Sequence, residues 1–142
     1  MQPMSTSLRV RTDGGSRGNP GPSGIGVVIE DRETGETLEE HHRYLGVTTN
    51  NQAEYQAVIL ALQRCVALGA TSVEVLADSE LLIRQANGEY RVKNPELQVR
   101  FREMREFVVK IGRVTFKHVY REANTRADAL ANLAMDGKTS SI

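Results

Sequence analysis

Four carboxylates, each in its own polar or glycine-rich segment, are the residues of this chain best suited to chemistry. They are Asp13 in TDGGS, Glu54 in TNNQAE, Asp78 in LADS and Asp128 in NTRAD. If the fold gathers them, like charges a few ångströms apart are tolerated only when protons or cations neutralise them. The pattern therefore predicts a divalent-metal site, and a site of that kind favours phosphoryl chemistry.

Three of these acids also have a simple structural alternative. Asp13 stands before a glycine, which is typical of a turn, and Asp78 could cap the helix predicted to follow it. Asp128 could be a solvated helix charge paired with Arg121 or Arg126. Taken singly, none of the three establishes a site.

Glu54 lies on what the sequence predicts to be an apolar helix face. Offsets of four, seven and eleven residues place Val58, Ala61 and Cys65 on the same side of that helix. Compensation of the helix dipole or a capping box would explain a glutamate in the first turn, but a solvent-facing position serves both equally well. A structural and a functional interpretation therefore remain open. Cys65 itself is expected to be a buried thiol rather than a nucleophile.

Hydrophobic periodicity and turn residues predict the element order β-β-β-α-β-α-α-β-α, which is typical of a mixed sheet covered by helices. The predicted strands span residues 8–12, 25–30, 37–45, 72–77 and 113–120. The predicted helices span residues 51–68, 80–87, 94–111 and 124–135. Short turns between the first three strands indicate an antiparallel meander. We expect one domain over residues 8–136, with a disordered tail at 1–7 and a loose tail at 137–142.

Composition and charge constrain the partners. The chain has 142 residues with 18 basic and 18 acidic side chains, so its formal net charge is zero. Nucleic-acid binders tend to be strongly basic, and composition alone therefore points away from DNA or RNA. No apolar run approaches the roughly 20 residues that span a bilayer, and no signal segment opens the chain. We expect a cytoplasmic monomer with no membrane partner and no obligate protein partner.

The ordered set of motifs resembles a type 1 ribonuclease H. The matching stretches are TDGGSRGNPGP, TTNNQAEY, ADSELL, VKNPEL and REANTRADALA, in family order between Leu8 and Met135. The resemblance implies the α/β ribonuclease H-like fold, whose five-stranded mixed sheet extends the antiparallel meander by two further strands. It also implies an endonuclease that hydrolyses the RNA strand of RNA–DNA hybrids and leaves 5′-phosphate and 3′-hydroxyl ends.

By the family pattern, the four acids hold two Mg²⁺ ions, with Mn²⁺ as a substitute. Asp13 would bridge both ions, Glu54 and Asp78 would lie on one side, and Asp128 would complete the other. The resemblance further implies substrate contacts along the minor groove of the hybrid. These contacts are Gly15, Asn19, Asn50 and Asn51, with Thr49 as the anchor for a phosphate of the DNA strand. Short neutral side chains suit this role, because the 2′-hydroxyl distinguishes RNA from DNA.

Two features of the family pattern are missing. Gly88 to Lys93 runs almost directly into the next helix, so the chain lacks the long basic, tryptophan-containing insertion of many bacterial members. The connection before Asp128 lacks a histidine loop, for which Arg121 or Glu122 is a candidate replacement, while His118 is expected to serve packing. Candidates for a local basic stripe are Arg17, Arg84, Arg91 and Lys93. A catalytically impaired hybrid-binding module and a related nuclease of the same superfold remain alternative hypotheses.

Overall fold

The computed structural model describes residues 6–142 and shows a five-stranded sheet with helices on both faces. The strands are β1 (Thr6–Ser16), β2 (Gly21–Asp31), β3 (Thr37–Thr48), β4 (Ala70–Ala77) and β5 (Arg113–His118). The helices are α1 (Asn50–Ala67), α2 (Glu80–Ala86), α3 (Pro95–Ile111) and α4 (Thr125–Gly137), with a 3₁₀ turn at Arg121–Ala123. The element order predicted from the sequence is confirmed.

The strands have the order β3-β2-β1-β4-β5. β1, β2 and β3 form an antiparallel meander, and β4 and β5 lie parallel to β1. This arrangement confirms the predicted mixed sheet. Because β1 is central, it pairs with a hairpin neighbour on one side and with a parallel strand on the other.

Alternation along the central strands directs side chains toward two helical layers. Ile25 of β2 is fully buried in the core shared with α1, whereas its neighbour Gly26 faces α4. A Cβ at Gly26 would overlap the backbone of Ala127, so α4 can approach β2 this closely only over a glycine. Gly14 meets the same requirement on the other face, where a Cβ would overlap the backbone of Ala53 in α1. The two glycines therefore let α1 and α4 lie close to the sheet.

β1 is longer than the sequence predicts. The turn expected at Asp13 does not occur, because β1 continues to pair with residues 23–26 of β2 after β4 has ended at Ala77. Asp13 is thus a strand residue at the point where β1 loses its parallel neighbour. β1 also begins at Thr6, inside the tail predicted at 1–7, of which residues 1–5 lie outside the described part of the chain.

The C-terminal segment predicted to be loose is hydrogen-bonded to the sheet. α4 includes Gly137, and the Ser141 N–H donates to the His42 carbonyl at 2.8 Å. The Tyr44 N–H donates to the Ser140 Oγ at 3.0 Å. Because β3 is an edge strand, these bonds cover part of its free backbone groups.

The helices follow the local sequence signals. The Oγ1 of Thr49 accepts the Gln52 N–H at 3.2 Å at the start of α1. The Oδ1 of Asn94 accepts the Glu96 N–H at 2.8 Å at the start of α3. Cys65 is fully buried in α1, which confirms the predicted core thiol. Within residues 6–142, no helix is long and apolar enough to cross a membrane.

Candidate active site

All four predicted acids line one open pocket of about 530 Å³, called here the acidic pocket. Asp13 comes from β1, Glu54 from α1, Asp78 from the residue after β4, and Asp128 from α4. The pocket is also lined by Gly15, Arg17, Asn50, His118, Arg121 and Asn132. The structure therefore brings together every acid that the sequence singled out.

Strand register places Asp13 beside Asp78. The parallel pairing of β1 with β4 ends at Thr12 and Ala77, so the next residue of each strand lies at the same edge of the sheet. Carboxyl ends of neighbouring parallel strands are where α/β sheets form sites. After burial, the charge of Asp78 is the strongest cause of the raised pKa of Asp13, so the two carboxylates interact.

Glu54 reaches the pocket from the start of α1. The close approach of Gly14 to Ala53 holds this part of the helix against β1. The Nδ2 of Asn50, four residues earlier, donates to the Glu54 Oε1 at 2.8 Å. The three residues predicted to share the face of Glu54 are fully buried, which confirms that this acid lies on the apolar side of the helix.

The position of Asp128 is set by a contact that joins the start of α4 to β1. The side chain of Asn124 is buried, and its Nδ2 donates to the carbonyl of Thr12 at 2.8 Å. Thr12 directly precedes Asp13, and the Asp128 carboxyl is close enough to Asp13 for a side-chain hydrogen bond. The sequence predicts Asn124 as the first residue of a helix, whereas its side chain makes no cap hydrogen bond and instead anchors α4 to the sheet.

The pocket disfavours the ionised form of two acids. Burial, followed by the charge of Asp78, raises the pKa of Asp13 from 3.8 to about 8. Burial also raises the pKa of Glu54 from 4.5 to about 7, although hydrogen bonds from Ser79 and Asn50 oppose that shift. Carboxylates gathered in this way favour a neutralising cation among them.

The chemistry of the donor set fits a hard divalent cation. Carboxylate oxygens are ligands that Mg²⁺ and Mn²⁺ prefer. No group of three or more Asp, Glu, His or Cys side chains within residues 6–142 is arranged to hold a metal ion by itself. Mg²⁺ usually keeps several waters and binds through one or two carboxylates together with substrate phosphates, so an open pocket suits it better than a closed cage.

The predicted substrate contacts divide between two neighbouring depressions. Gly15 and Asn50 line the acidic pocket, whereas Asn19, Thr49 and Asn51 line a second one of about 270 Å³, called here the polar depression. It lies between the starts of α1 and α3, and none of the four acids lines it. The Asn19 Oδ1 accepts the backbone N–H of Asn50 at 3.1 Å, which connects the two depressions.

The rim of the acidic pocket contains residues that sequence reasoning placed incompletely. His118 ends β5 opposite Ala77 and lines the pocket with Tyr120 and Arg121. The rings of His118 and Tyr120 meet edge to face, with centroids 5.2 Å apart. The signal that could have found His118 is its place near the carboxyl end of a predicted strand, the rule that favoured Asp78. Arg121, predicted as a candidate replacement for a histidine loop, does lie at the pocket.

Comparisons of the sequence with a family model and with known proteins agree with one another. Residues 11–134 match the family model described as reverse transcriptase-like. Over 132 residues, or 93% of this chain, the sequence is 41% identical to the bifunctional protein Rv2228c of Mycobacterium tuberculosis, of which it spans 36%. It is also 40% identical over 124 residues to ribonuclease HI of Halobacterium salinarum, with 87% of this chain and 62% of that protein aligned. The chain therefore spans only part of the length of these relatives.

Solved structures extend the match to the whole fold. The N-terminal RNase H domain of Rv2228c superposes with a TM-score of 0.91 at 41% identity, covering 94% of this chain and 96% of that one. LC11-RNase H1, solved in complex with an RNA/DNA hybrid, superposes with a TM-score of 0.88 at 46% identity, covering 92% of this chain and 98% of that one. The similarity thus covers nearly complete solved chains rather than a single motif.

Proposed function

Because the chain belongs to the type 1 ribonuclease H family, we propose that it hydrolyses the RNA strand of RNA–DNA hybrids, leaving 5′-phosphate and 3′-hydroxyl ends. The observation that carries this proposal is the convergence of Asp13, Glu54, Asp78 and Asp128 in one pocket. A module that only binds hybrids would have no use for four half-buried acids in one pocket, where the pKa values of Asp13 and Glu54 are raised by burial and by neighbouring acids. The proposal concerns this domain, since the relatives named above are longer proteins.

The same acids are the residues we assign to the metal. Asp13, Glu54, Asp78 and Asp128 would hold two Mg²⁺ ions, with Mn²⁺ as a substitute. Bound ions of this kind supply a hydroxide nucleophile and stabilise the leaving oxyanion. The contribution of the chain is to hold the ligands on four different elements and to keep the pKa values of Asp13 and Glu54 raised, so that a cation is favoured there.

The polar depression supports recognition rather than chemistry. Asn19, Thr49 and Asn51 offer short neutral groups beside the acidic pocket, and Gly15 and Asn50 continue that surface into it. Amide and hydroxyl groups can both donate to and accept from a ribose 2′-hydroxyl. In our proposal the RNA strand crosses the acidic pocket, the asparagines contact the minor groove of the hybrid, and Thr49 contacts a phosphate of the DNA strand.

Two arginines line the acidic pocket, and one of them, Arg17, is paired with Asp136 at 2.5 Å. Outside the pocket, Arg84 is paired with Glu80 and Arg126 with Glu40, both at 2.8 Å. Arg121 lines the acidic pocket and forms none of the ion pairs found within residues 6–142. We therefore favour Arg121 as the residue that contacts a substrate phosphate where many relatives have a histidine loop.

Two further expectations stay predictions. The monomeric state and the cytoplasmic location rest on the sequence alone. Gel filtration with light scattering would test the first, and localisation of the tagged protein in its native cell would test the second.

The proposed activity is tested with three labelled substrates: an RNA–DNA hybrid, duplex RNA and duplex DNA. Each is incubated with Mg²⁺, Mn²⁺ or EDTA and with wild type or Asp13→Asn. We expect wild type to cut only the RNA strand of the hybrid and only with a metal, and we expect Asp13→Asn to leave it intact. Glu106→Gln, which removes an exposed acid on α3, is the matched control and should cut normally.

Two outcomes would contradict parts of this proposal. A hybrid left intact by wild type with both metals would refute the enzyme. Normal cleavage by Asp13→Asn would instead refute the assignment of the acidic pocket as the catalytic site.

A further inference from the structure

Asn132 on α4 bridges one of the four acids to the glycine-rich segment that follows β1. It lies four residues after Asp128, and its Nδ2 is 3.0 Å from the Asp128 carbonyl and 3.4 Å from the Asp128 Oδ2. Its Oδ1 accepts a hydrogen bond from the Nη2 of Arg17 at 3.1 Å. Asn132 and Arg17 both line the acidic pocket.

The chemistry of this bridge suits an amide, which can donate and accept at the same time. An arginine can only donate hydrogen bonds and an ionised carboxylate can only accept them, so the residue between them must accept on one side and donate on the other. The same two neighbours determine the orientation of the Asn132 amide. An apolar side chain at this position would lose both bonds.

Arg17 makes two further contacts, one through its guanidinium and one through its backbone. Its Nη1 lies 2.5 Å from the Asp136 Oδ1, and its backbone N–H donates to the Pro22 carbonyl at 2.8 Å. The guanidinium therefore has a carboxylate on one nitrogen and the Asn132 amide on the other. A guanidinium with both partners is better placed to orient Asn132 than to bind a substrate phosphate.

A related chain of bonds leads to a second acid of the pocket, Glu54. The Oδ1 of Asn19 accepts from the backbone of Asn50 at 3.1 Å, and the Asn50 Nδ2 donates to the Glu54 Oε1 at 2.8 Å. Asn50 precedes Glu54 by four residues, as Asn132 follows Asp128 by four. In both chains, a residue of the segment between β1 and β2 contacts an asparagine that donates to a pocket acid one helical turn away, but only Arg17 bonds to the side-chain amide itself.

We propose that Asn132 and Arg17 are positioning residues for Asp128. Arg17 fixes the amide of Asn132, and Asn132 holds the Asp128 carboxylate in the orientation in which it serves as a metal ligand. This inference rests on the proposed function, because it assumes that Asp128 binds a metal. Hydrogen bonds to a ligating carboxylate restrict its orientation, and losing such a partner weakens metal affinity or activity.

The first test measures metal binding without any catalysis. Calorimetric titration of Mn²⁺ into the free protein compares wild type with Asn132→Leu, and Leu133→Ala on the same helix is the matched control because its side chain is half exposed. We expect Asn132→Leu to bind Mn²⁺ about 10-fold more weakly and to need correspondingly more Mg²⁺ for half-maximal hybrid cleavage. Its affinity for the hybrid in EDTA should match that of wild type.

Thermal unfolding in EDTA establishes that each variant is folded. If Asn132→Leu is not folded, Asn132→Ala replaces it, since alanine adds no atoms to the pocket and favours the helix. An Mn²⁺ affinity equal to that of wild type in a folded variant would overturn the proposal. If wild type bound Mn²⁺ but did not cleave the hybrid, the proposed function would fail while the titration still tested the positioning.

The second test asks whether Arg17 acts through Asn132. We expect Arg17→Met to weaken Mn²⁺ binding, and the double variant with Asn132→Leu to bind no more weakly than Asn132→Leu alone, because the two residues form one chain. A direct phosphate contact by Arg17 predicts something else: weaker hybrid binding in EDTA, a salt dependence lower by about one charge, and unchanged Mn²⁺ affinity. That second pattern, or additive losses in Mn²⁺ affinity, would refute the role assigned to Arg17.

Discussion

The acidic pocket and the polar depression lie side by side but are built in different ways. The acidic pocket takes its acids from four elements and keeps the pKa values of Asp13 and Glu54 raised. The polar depression is lined mainly by short polar groups near two helix starts, and Thr49 there also caps α1. Under the proposed function, catalysis would depend on acids that four different elements bring together, whereas recognition would use polar groups that the helix starts already hold in place.

Asp78→Asn should give the largest contrast between the cleavage rate and the affinity for the hybrid. This substitution keeps the shape of the side chain but removes a charge from the acidic pocket. Loss of a metal ligand should lower the single-turnover rate by about 10³-fold, because metal catalysis contributes several kcal/mol to the barrier. Binding of the hybrid in EDTA should change by less than about 3-fold, since charge on a single acid adds little to recognition. Rapid-quench kinetics and fluorescence anisotropy measure the two quantities. Equal losses in both would show that the acidic pocket is a binding surface.

The next effect concerns the stability of the metal-free protein. The pKa values of Asp13 and Glu54 rise from 3.8 and 4.5 to about 8 and about 7, so the folded chain keeps protons that the unfolded chain releases. The contribution of these groups to stability is therefore full below about pH 4 and is lost as the pH rises to about 8. At pH 8 in EDTA, Asp13→Asn should be more stable than wild type by about 1–3 kcal/mol.

Urea denaturation at several pH values checks this expectation. A hydrogen bond from Arg64 is the main reason why the pKa of Glu39 is lowered to about 2, so Glu39 changes the stability with pH in the opposite direction to Asp13. Because Glu39 is present in both proteins, its contribution cancels in the difference between Asp13→Asn and wild type. That difference therefore reports on Asp13 alone. The difference should vanish near pH 4 and shrink when Mg²⁺ is added. A difference that stayed constant with pH would mean that Asp13 is not destabilised in the folded pocket.

A smaller effect is expected in the polar depression. Asn51→Ala removes an amide and should raise KM for the hybrid about 5-fold with little change in kcat, since one hydrogen bond contributes about 1 kcal/mol. Gln63→Ala, an exposed position on the same helix, is the control. Steady-state kinetics on a hybrid of fixed length provide the measurement. A fall in kcat with unchanged KM would place Asn51 in the chemistry and blur the contrast between the two depressions.

The smallest effect should come from Thr49, which serves structure and recognition together. Thr49→Ala loses the cap of α1 and should lower the free energy of unfolding by about 0.5–1 kcal/mol, whereas Thr49→Ser keeps a hydroxyl and should lose almost nothing. Chemical denaturation gives the stability, and anisotropy gives the affinity for the hybrid. If Thr49→Ala weakened the affinity without any loss of stability, the cap seen at 3.2 Å would be energetically unimportant.

Local signals were sufficient wherever the decisive contact is close in sequence. The caps at Thr49 and Asn94 act on residues two or three positions away, and the sequence predicted both helix starts. The apolar face below Glu54 follows from helical periodicity, and the burial of Cys65 confirms it. The element order could be predicted for the same reason.

Contacts distant in sequence were predicted poorly. The turn expected at Asp13 did not appear, because pairing with β2 continues where pairing with β4 stops. The place of His118 at the acidic pocket was not predicted, because one strand viewed alone does not show which strand lies beside it. The bridge from Arg17 to Asn132 joins residues 115 positions apart, and no local pattern marks either partner.

The sequence by itself determined the four acids, the polar residues beside them and the order of helices and strands. These depend on residue type and on periodicities of two and 3.6 residues, which are properties of neighbouring positions. Tertiary structure alone decided that the acids meet, which orientation each is given and which pocket residues hold them. That outcome depends on strand register and on the close approach of α4 over Gly26, so it is a property of the folded sheet.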